Sequence, residues 1–408
     1  MTRVLLFTGK GGVGKTTLAA ATAAQLAADG RKALVVSTDP AHSLGDALGV
    51  PLGGQPSEVD SGLYAAQIDP RGLVDDAWRD LRGHLRTILA GAGVDELDAE
   101  ELTVLPGVEE LLALAEVHRL AHAGPWETVV VDCGPTAETL RLLSLPEAFA
   151  GYLERLFPTH RRVVRGLLAG VAGTSTVEKW DATADALGRL AEHLDLLRAM
   201  LADQTTTSVR LVLTPERVVA AETRRTLTAL ALQGIRVDGV VANRLVPDPG
   251  SARGAAATWL RTRRREQDAV LAELRQSAEL TGMGEVRIVD HRAAEPVGVR
   301  ALLDVAAELY QGADPLTGVE VSTAPLLEVS GGGKGTEAEY LLRIVLPLGD
   351  DAALDLARVG DELAVTVDGR RKLVALPSLL RRCVVTGAEM DETGLAVHFR
   401  PDPNLWMR

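Results

Sequence analysis

Residues 9–17 read GKGGVGKTT, and their types and spacing suit the binding of a polyphosphate. Glycine fills four of these nine positions, so consecutive backbone N–H groups can turn toward one anion without obstruction by a Cβ atom. Lys15 can then reach the β- and γ-phosphates of a nucleotide, while the Thr16 hydroxyl can coordinate Mg²⁺. The nucleotide-binding residues predicted in this loop are Gly11, Gly12, Val13, Gly14, Lys15, Thr16 and Thr17.

A loop of this kind needs a strand before it and a helix after it, because the helix adds the positive end of its dipole to the anion site. The apolar run from Arg3 to Thr8 predicts the strand. The stretch from Leu18 to Asp29 is rich in alanine and predicts the helix, with Gly30 as its stop. This context argues against the alternative, a chance glycine-rich turn.

Short apolar runs alternate with helical stretches up to about residue 312, which is typical of a parallel sheet with helices on both faces. We therefore predict an α/β fold with a doubly wound, mostly parallel sheet. The predicted strands are Arg3 to Thr8, Ala33 to Thr38, Thr128 to Cys133, Val209 to Thr214, Val237 to Asn243 and Val286 to Val289. Two further helices are predicted over Asp75 to Leu89 and Val108 to His122.

Two regions depart from this alternation. Residues 151–207 contain no convincing strand, and we predict a helical insertion whose leucines recur at helical spacing: Leu187, Leu190, Leu194, Leu197 and Leu201. These leucines either belong to a core or form an apolar surface. Residues 313–336 contain prolines and the run GGGKG, and they predict a linker with a first β segment. Residues 337–408 alternate in the manner of a small all-β sandwich, which leaves 1–312 as the first domain.

Composition excludes several classes of function. The net charge of −13 disfavours nucleic acid and anionic lipid as partners, and the one basic run, 263–265, reads as a solvated helix face. Two cysteines, Cys133 and Cys383, cannot form a disulfide framework or a four-cysteine metal site. No apolar run approaches the roughly 18 residues that a membrane-spanning helix needs. These features predict a cytoplasmic protein without direct membrane insertion.

Lys10 is additional to the ordinary phosphate-binding motif. A second lysine at this position resembles the deviant loop of the superfamily that includes partition, septum-site, nitrogenase-iron and arsenite-pump ATPases. In that superfamily the lysine crosses a dimer interface and supplies charge to the partner's nucleotide in the transition state. Since the chain has one such loop, the resemblance implies a homodimer with Lys10 and Lys15 as catalytic residues.

Two segments narrow the resemblance to the arsenite-pump and guided-entry (ArsA/Get) family. STDPAHSLGDALG at 37–49 resembles its switch I, in which Asp39 would orient or deprotonate the attacking water. The alternative for Asp39 is a turn residue before proline. VVVDCGPTAETLRLLSLPE at 129–147 resembles switch II, in which Asp132 would hold Mg²⁺ through water. Gly134 and Ala137 depart from the usual family residues, and Ala137 could stiffen the switch.

Two further resemblances lie later in the chain. Asn243, in VVANRLVP, resembles the asparagine with which the family contacts adenine, although asparagine at a strand end is often a turn residue. The carboxyl-terminal segments YLLRIVLPLG, ELAVTVDGRRKLVALP and LAVHFRP resemble an α-crystallin (small heat-shock protein) domain.

Together these features predict a Mg²⁺-dependent ATPase that works as a homodimeric switch on a hydrophobic client helix or partner protein. One alternative is the soluble subunit that energises a membrane carrier of arsenite or another anion. A second is a nucleotide-sensing scaffold that does not hydrolyse ATP. The chain lacks the several cysteines of arsenite-binding members, and it lacks the CxxC zinc site and methionine-rich groove of tail-anchor targeting members.

Overall fold

The structure is a computed structural model of the full chain, and its description covers most of both predicted domains. The residues described are 2–39, 43–69, 108–134, 196–197, 199–201, 203, 205–232, 235, 237–281, 284–316, 327–333, 335–345, 354–367, 370–391 and 394–406. The predicted helix over 75–89 lies outside them, as does most of the predicted insertion at 151–207.

Eight strands form the large sheet, in the order β3-β4-β2-β5-β1-β6-β7-β8. Strand β2 pairs in parallel with β4 and with β5, and β7 pairs in parallel with β6 and with β8. Strand β3 pairs with β4 in the antiparallel direction. The strands are β1 Arg3–Gly9, β2 Ala33–Ser37, β3 Ser57–Asp60, β4 Leu63–Gln67, β5 Thr128–Asp132, β6 Thr207–Leu213, β7 Val237–Leu245 and β8 Val286–Asp290.

The sheet has the burial that a doubly wound architecture requires. Every residue of β2, β5 and β6 is buried, as expected for parallel strands with both faces covered. The described helices of this region are α1 Lys15–Ala28, α2 Ser43–Leu48, α3 Val108–Ala123, α4 Arg217–Leu232, α5 Ala255–Thr281 and α6 Val299–Tyr310. The prediction of an α/β fold with a mostly parallel sheet is therefore confirmed.

Helix α1 shows how local sequence sets an element's limits. Alanine fills much of it, and alanine has the highest helix propensity. Gly30 lies just beyond the helix at a φ of 85°, in the left-handed region that glycine adopts without steric cost, and its N–H donates to the carbonyl of Ala27. The helix thus ends where the predicted glycine stop placed it.

All six predicted strands are present, with ends that differ by at most two residues. Strands β3 and β4 were not predicted, and they extend the sheet beyond the six predicted strands. Residues of β3 are mostly exposed, and the LYAAQ sequence of β4 contains two alanines, which have low strand propensity.

Leu197 and Leu201 are buried, which favours the core alternative for the last part of the leucine series.

The chain is divided into two compact units. The first comprises Met1–Leu6, Thr16–Thr207 and Val297–Leu302, and the second comprises Phe7–Lys15, Ser208–Pro296 and Leu303–Arg408. The second unit contains a fully buried ion pair between Arg210 of β6 and Asp238 of β7, with a shortest N···O distance of 2.8 Å. Arg210 also donates to the Tyr310 hydroxyl and to the carbonyl of Pro315. Burial disfavours the charged guanidinium, but the charges and hydrogen bonds of Asp238 and Tyr310 outweigh it and raise the Arg210 pKa.

The carboxyl-terminal residues form two antiparallel sheets, in the orders β14-β15-β10-β9 and β11-β12-β13. Their buried residues form one hydrophobic cluster that includes Leu342, Val365 and Phe399, so the two sheets share a core, as the predicted β-sandwich requires. The strands are β9 Leu327–Gly332, β10 Glu339–Val345, β11 Leu354–Val359, β12 Glu362–Val367, β13 Arg370–Ala375, β14 Cys383–Asp391 and β15 Gly394–Pro401, followed by the short helix α7 Pro403–Trp406.

Candidate active site

The predicted phosphate-binding loop lies between a strand and a helix. Strand β1 ends at Gly9 and helix α1 begins at Lys15, so the loop leads directly into the amino end of a helix of 14 residues. Lys15 is 6% exposed, and its Nζ donates to the carbonyl oxygen of Lys10 at 3.3 Å. Its ammonium group therefore lies folded against the loop that contains it, as a lysine facing a phosphate in that loop would require.

Lys10 has different surroundings. Its side chain is 49% exposed, and its Nζ lies 3.2 Å from a carboxylate oxygen of Glu222 on α4. An exposed pair of this kind contributes roughly 0.2–1 kcal/mol, so another anion can displace the carboxylate at little cost. One lysine of the loop is thus buried within it, while the other is available at the surface.

Asn243 contacts the loop from β7. Its Nδ2 donates to the carbonyl oxygen of Val13 at 2.8 Å, and its Oδ1 accepts the N–H of Arg244 at 2.9 Å. Gly14 has a φ of 93°, and a Cβ atom there would lie 2.3 Å from the Asn243 Nδ2. Glycine at position 14 is therefore required both by the backbone angle and by the closeness of the amide.

Thr16, the first residue beyond the loop lysine, belongs to a cluster of oxygen atoms. Its Oγ1 donates to Asp132 Oδ2 at 2.8 Å and lies 3.0 Å from the Oγ of Ser43. The Oγ of Ser37 donates to the same Asp132 oxygen at 3.1 Å. Thus the two residues predicted to bind metal, Thr16 and Asp132, are in direct contact, and two serines that the sequence analysis did not select join them.

Strand register explains why this cluster forms. Ser37 and Asp132 are the last residues of β2 and β5, and they are register partners in that parallel pair. The carboxyl ends of parallel strands meet at one edge of a sheet, so both side chains reach the edge at which ligands of doubly wound sheets bind. Ser43 is the first residue of α2, on the segment that follows β2.

Asp39 lies two residues beyond β2 and is partly buried. Its N–H donates to the Oγ of Ser37 at 3.2 Å, and its carbonyl oxygen accepts the Nε2 of Gln67 at 2.9 Å. Hydrogen bonds therefore restrain the backbone on both sides of the Asp39 side chain. Residues 40–42 of the predicted switch I lie outside the described residues, as does the predicted switch II from 135 onward, including Ala137.

Comparison with known protein families identifies the family of this chain. The profile of a family described as anion-transporting ATPase matches residues 2–311. The chain belongs to the anion-transporting ATPase family. It is an ATPase, with ATP as its substrate. An HSP20-like domain found in ArsA proteins matches residues 337–399, which confirms the resemblance of the carboxyl-terminal sandwich to small heat-shock proteins.

Several relatives of this anion-transporting ATPase are similar over most of their length. Protein Rv2184c of Mycobacterium tuberculosis is 40% identical over 427 aligned residues, which cover 99% of this chain and 97% of the relative. A putative arsenical pump-driving ATPase of Chlorobaculum tepidum is 33% identical, with 92% of this chain and 90% of the relative covered. ATPase GET3 of Podospora anserina is 33% identical over 60% of this chain and 73% of its own length. The predicted ArsA/Get membership is therefore confirmed.

The oxygen cluster of this ATPase suits Mg²⁺. One carboxylate and three hydroxyls are hard oxygen donors, and Mg²⁺ commonly takes few protein ligands together with water and substrate phosphates. Over the described residues, no three or more histidine, cysteine, aspartate or glutamate side chains come together as a metal site. The donors at Thr16 thus fit a metal that arrives with a nucleotide.

Two features of the sequence could have revealed the missed site residues. Ser37 and Asp132 each lie one residue before the end of a predicted strand, so a parallel pairing of the two runs brings them together. Ser43 is the serine of the STDPAHS segment. Gln67 and Glu222 gave no such signal, because β4 was not predicted and no motif marks Glu222 among the four charged residues of α4.

The remaining predicted features have a structural place. Cys133 is buried directly after β5 and Cys383 is buried within the sandwich, as expected for small core residues. Arg263 and Arg264 of the basic run are paired with acidic residues of α5 and its surroundings, including Glu266 and Asp268. Within the described part of the chain, no helix combines the length and apolar character that crossing a bilayer demands.

Proposed function

We propose that this ATPase is a cytoplasmic, Mg²⁺-dependent homodimer in which hydrolysis rearranges residues 37–49 and 129–147 and thereby controls the binding of a hydrophobic client or partner protein. The observation that carries the proposal is the contact between Thr16 and Asp132 at the start of α1, joined by Ser37 and Ser43. One hydrogen-bonded cluster thus connects the end of the loop with both of these segments.

Within the proposed site, the loop N–H groups and Lys15 bind the phosphates, and Thr16 with Asp132 would hold Mg²⁺, the latter through water. When bound, this ion neutralises charge on the β- and γ-phosphates. Asp39 orients or deprotonates the attacking water, and the restraint of its backbone by Ser37 and Gln67 supports this role.

The proposal of a homodimer rests on Lys10. Its side chain is half exposed, and within the described part of the chain its ammonium group pairs with Glu222, so it can reach a nucleotide on a second copy once the carboxylate is displaced. The ammonium group of a lysine used within its own chain would be expected to lie against its own loop, as that of Lys15 does. Charge supplied by a partner subunit in the transition state is the mechanism of an arginine finger.

The proposal of a hydrophobic client rests on the family and on the carboxyl-terminal domain. The relative from Podospora anserina is named ATPase GET3, and the family's HSP20-like domain is shared with small heat-shock proteins. Two apolar surfaces brought together by dimer closure would form a groove for a helix. Leu187, Leu190 and Leu194 of the predicted insertion are the candidate residues for this surface.

Substitution of Thr16 tests the proposed metal site. Thr16→Ala should raise the Mg²⁺ concentration for half-maximal ATP turnover at least about tenfold, since it removes a direct ligand. Thr22→Ala is a matched control, because Thr22 lies on the same helix and its hydroxyl donates to the Leu18 carbonyl. Equal Mg²⁺ requirements for the two variants would contradict the proposal.

A second candidate function is the energising of a membrane carrier for an anion. The family's description and the name of the Chlorobaculum tepidum relative favour it. Against arsenite as the anion, both cysteines are buried and they lie in different domains of the sequence. Stable, nucleotide-dependent binding of the purified ATPase to an integral membrane protein, with turnover stimulated by the transported anion, would support this candidate over the first.

A further inference from the structure

The carboxamide of Asn243 joins the central sheet to the phosphate-binding loop. Asn243 belongs to β7 and is 8% exposed, and its Nδ2 donates to the carbonyl oxygen of Val13 across 230 positions of sequence. The contact is buried, so its loss would leave a carbonyl without its partner in a region that water reaches poorly. Asn243 therefore affects the loop directly, whatever it does for a nucleobase.

Peptide geometry gives this hydrogen bond a consequence for the anion site. The C=O of Val13 and the N–H of Gly14 belong to one planar trans peptide, so they point in opposite directions. With the carbonyl held toward Asn243, the Gly14 N–H is held away from it. In a phosphate-binding loop, successive N–H groups must keep such a fixed direction to converge on one anion.

The amide is itself held firmly. Its Oδ1 accepts the N–H of Arg244, which has a φ of 60°, an uncommon angle for a residue with a side chain. Gln267 of α5 bonds the backbone beyond Asn243 instead, because its Nε2 donates to the Arg244 carbonyl and its Oε1 accepts the Val246 N–H. Gln267 is buried, and both of these hydrogen bonds lie outside residues 9–17.

We propose that Asn243 is a positioning residue of the phosphate-binding loop, which holds the Val13–Gly14 peptide in the orientation that phosphate binding needs. This inference rests on the proposed role of residues 9–17 as the phosphate site. It differs from the role that the family resemblance implies, contact with adenine, because it predicts an effect on ligands that have no base. The lack of room for a Cβ atom at Gly14 against the same amide agrees with it.

Tripolyphosphate, which has the phosphates of ATP and no base, separates the two roles. Binding of ATP and of tripolyphosphate would be measured by calorimetry on the full-length wild type, Asn243→Ala and Asn243→Asp. The Asp variant keeps the acceptor for Arg244 and loses the donor to Val13. In each variant, the affinity for ATP and the affinity for tripolyphosphate should fall by the same factor. We expect a fall of about fivefold to thirtyfold, as for one buried hydrogen bond and its unpaired partner.

Gln267→Ala is the matched control, because it removes a buried amide from the same strand end without touching the loop. It should change the affinity for each ligand by no more than about twofold. Hydrogen–deuterium exchange of the nucleotide-free proteins gives a second readout. Exchange of the amides at 11–16 should be faster in both Asn243 variants than in wild type, and unchanged by Gln267→Ala.

The outcomes distinguish the inference from the proposed function. Weaker ATP binding with unchanged tripolyphosphate binding, or loop exchange equal to that of wild type, would overturn the positioning role and assign Asn243 to the base. If wild type binds neither ligand more tightly than Lys15→Ala does, the loop is not the phosphate site, and the proposed function fails together with the inference.

Discussion

Lys10 and Lys15 lie five positions apart in one loop and have opposite surroundings. Lys15 is buried against the loop backbone, whereas Lys10 is half exposed and pairs with Glu222. If Lys10 acts on a partner's nucleotide, Glu222 competes with that nucleotide for the same ammonium group. The carboxylate then acts as a weak restraint on the resting chain.

Glu222→Gln should therefore raise ATP turnover by about 1.4-fold to fivefold at protein concentrations too low for complete dimer formation. This range corresponds to the free energy of an exposed ion pair. Glu216→Gln serves as the control, because Glu216 precedes the same helix and pairs with Arg263 instead of Lys10. Steady-state phosphate release measures both. A fall in turnover for Glu222→Gln would show that the pair positions Lys10 productively, and would contradict a restraining role.

The two cysteines give a prediction about reactivity. Burial raises the pKa of the Cys383 thiol, and the charge of Arg358 offsets only part of that rise. A raised pKa leaves less thiolate at pH 8, and thiolate is the reactive form. In the native protein, labelling of Cys383 by a thiol reagent should be at least about tenfold slower than in urea and should accelerate as the pH rises. Rapid labelling of Cys383 at pH 8 would contradict its burial.

At the scale of elements, strands that are buried on both faces were predictable because their apolar runs are nearly continuous. Strand β4, with two alanines, and β3, with exposed residues, carry no such pattern. The loop could be predicted from nine consecutive residues. The Ser37 and Asn243 contacts could not, because they depend on strand order and register, which no local pattern encodes.

Arg210 illustrates the same limit within a correctly predicted strand. Nothing in TSVRLVL indicates that its arginine is fully buried against Asp238 of the neighbouring strand. Because removal of one partner leaves a buried charge unpaired, Arg210→Leu should lower the free energy of unfolding by about 3–5 kcal/mol, measured by urea denaturation. The double change Arg210→Met with Asp238→Leu should recover part of that loss.

Arg264→Leu provides the comparison for this prediction. Its guanidinium is partly exposed and pairs with Asp268 one helical turn away, so the expected loss is under about 1 kcal/mol. Equal losses for Arg210→Leu and Arg264→Leu would mean that the buried pair contributes no more than a surface pair does.

At the scale of the whole molecule, the proposal joins an ATPase domain to an HSP20-like domain in one chain. If nucleotide binding closes a dimer around an apolar groove, a hydrophobic helix should be retained by the full-length protein with a nonhydrolysable ATP analogue and released when the analogue is removed. Co-purification with a peptide of about 20 apolar residues tests this, with a scrambled polar helix as control. Retention that is independent of nucleotide would contradict the switch.

The central claim is that ATP hydrolysis is coupled to dimer formation through Lys10 and depends on Asp39. The most direct test measures ATP turnover and molecular mass together, with and without nucleotide, for wild type, Lys10→Ala and Asp39→Asn. The account predicts a wild type that turns over ATP as a nucleotide-tightened dimer, and two variants that lose turnover. A wild type that hydrolyses ATP as a monomer, at a rate that Lys10→Ala leaves unchanged, would contradict it.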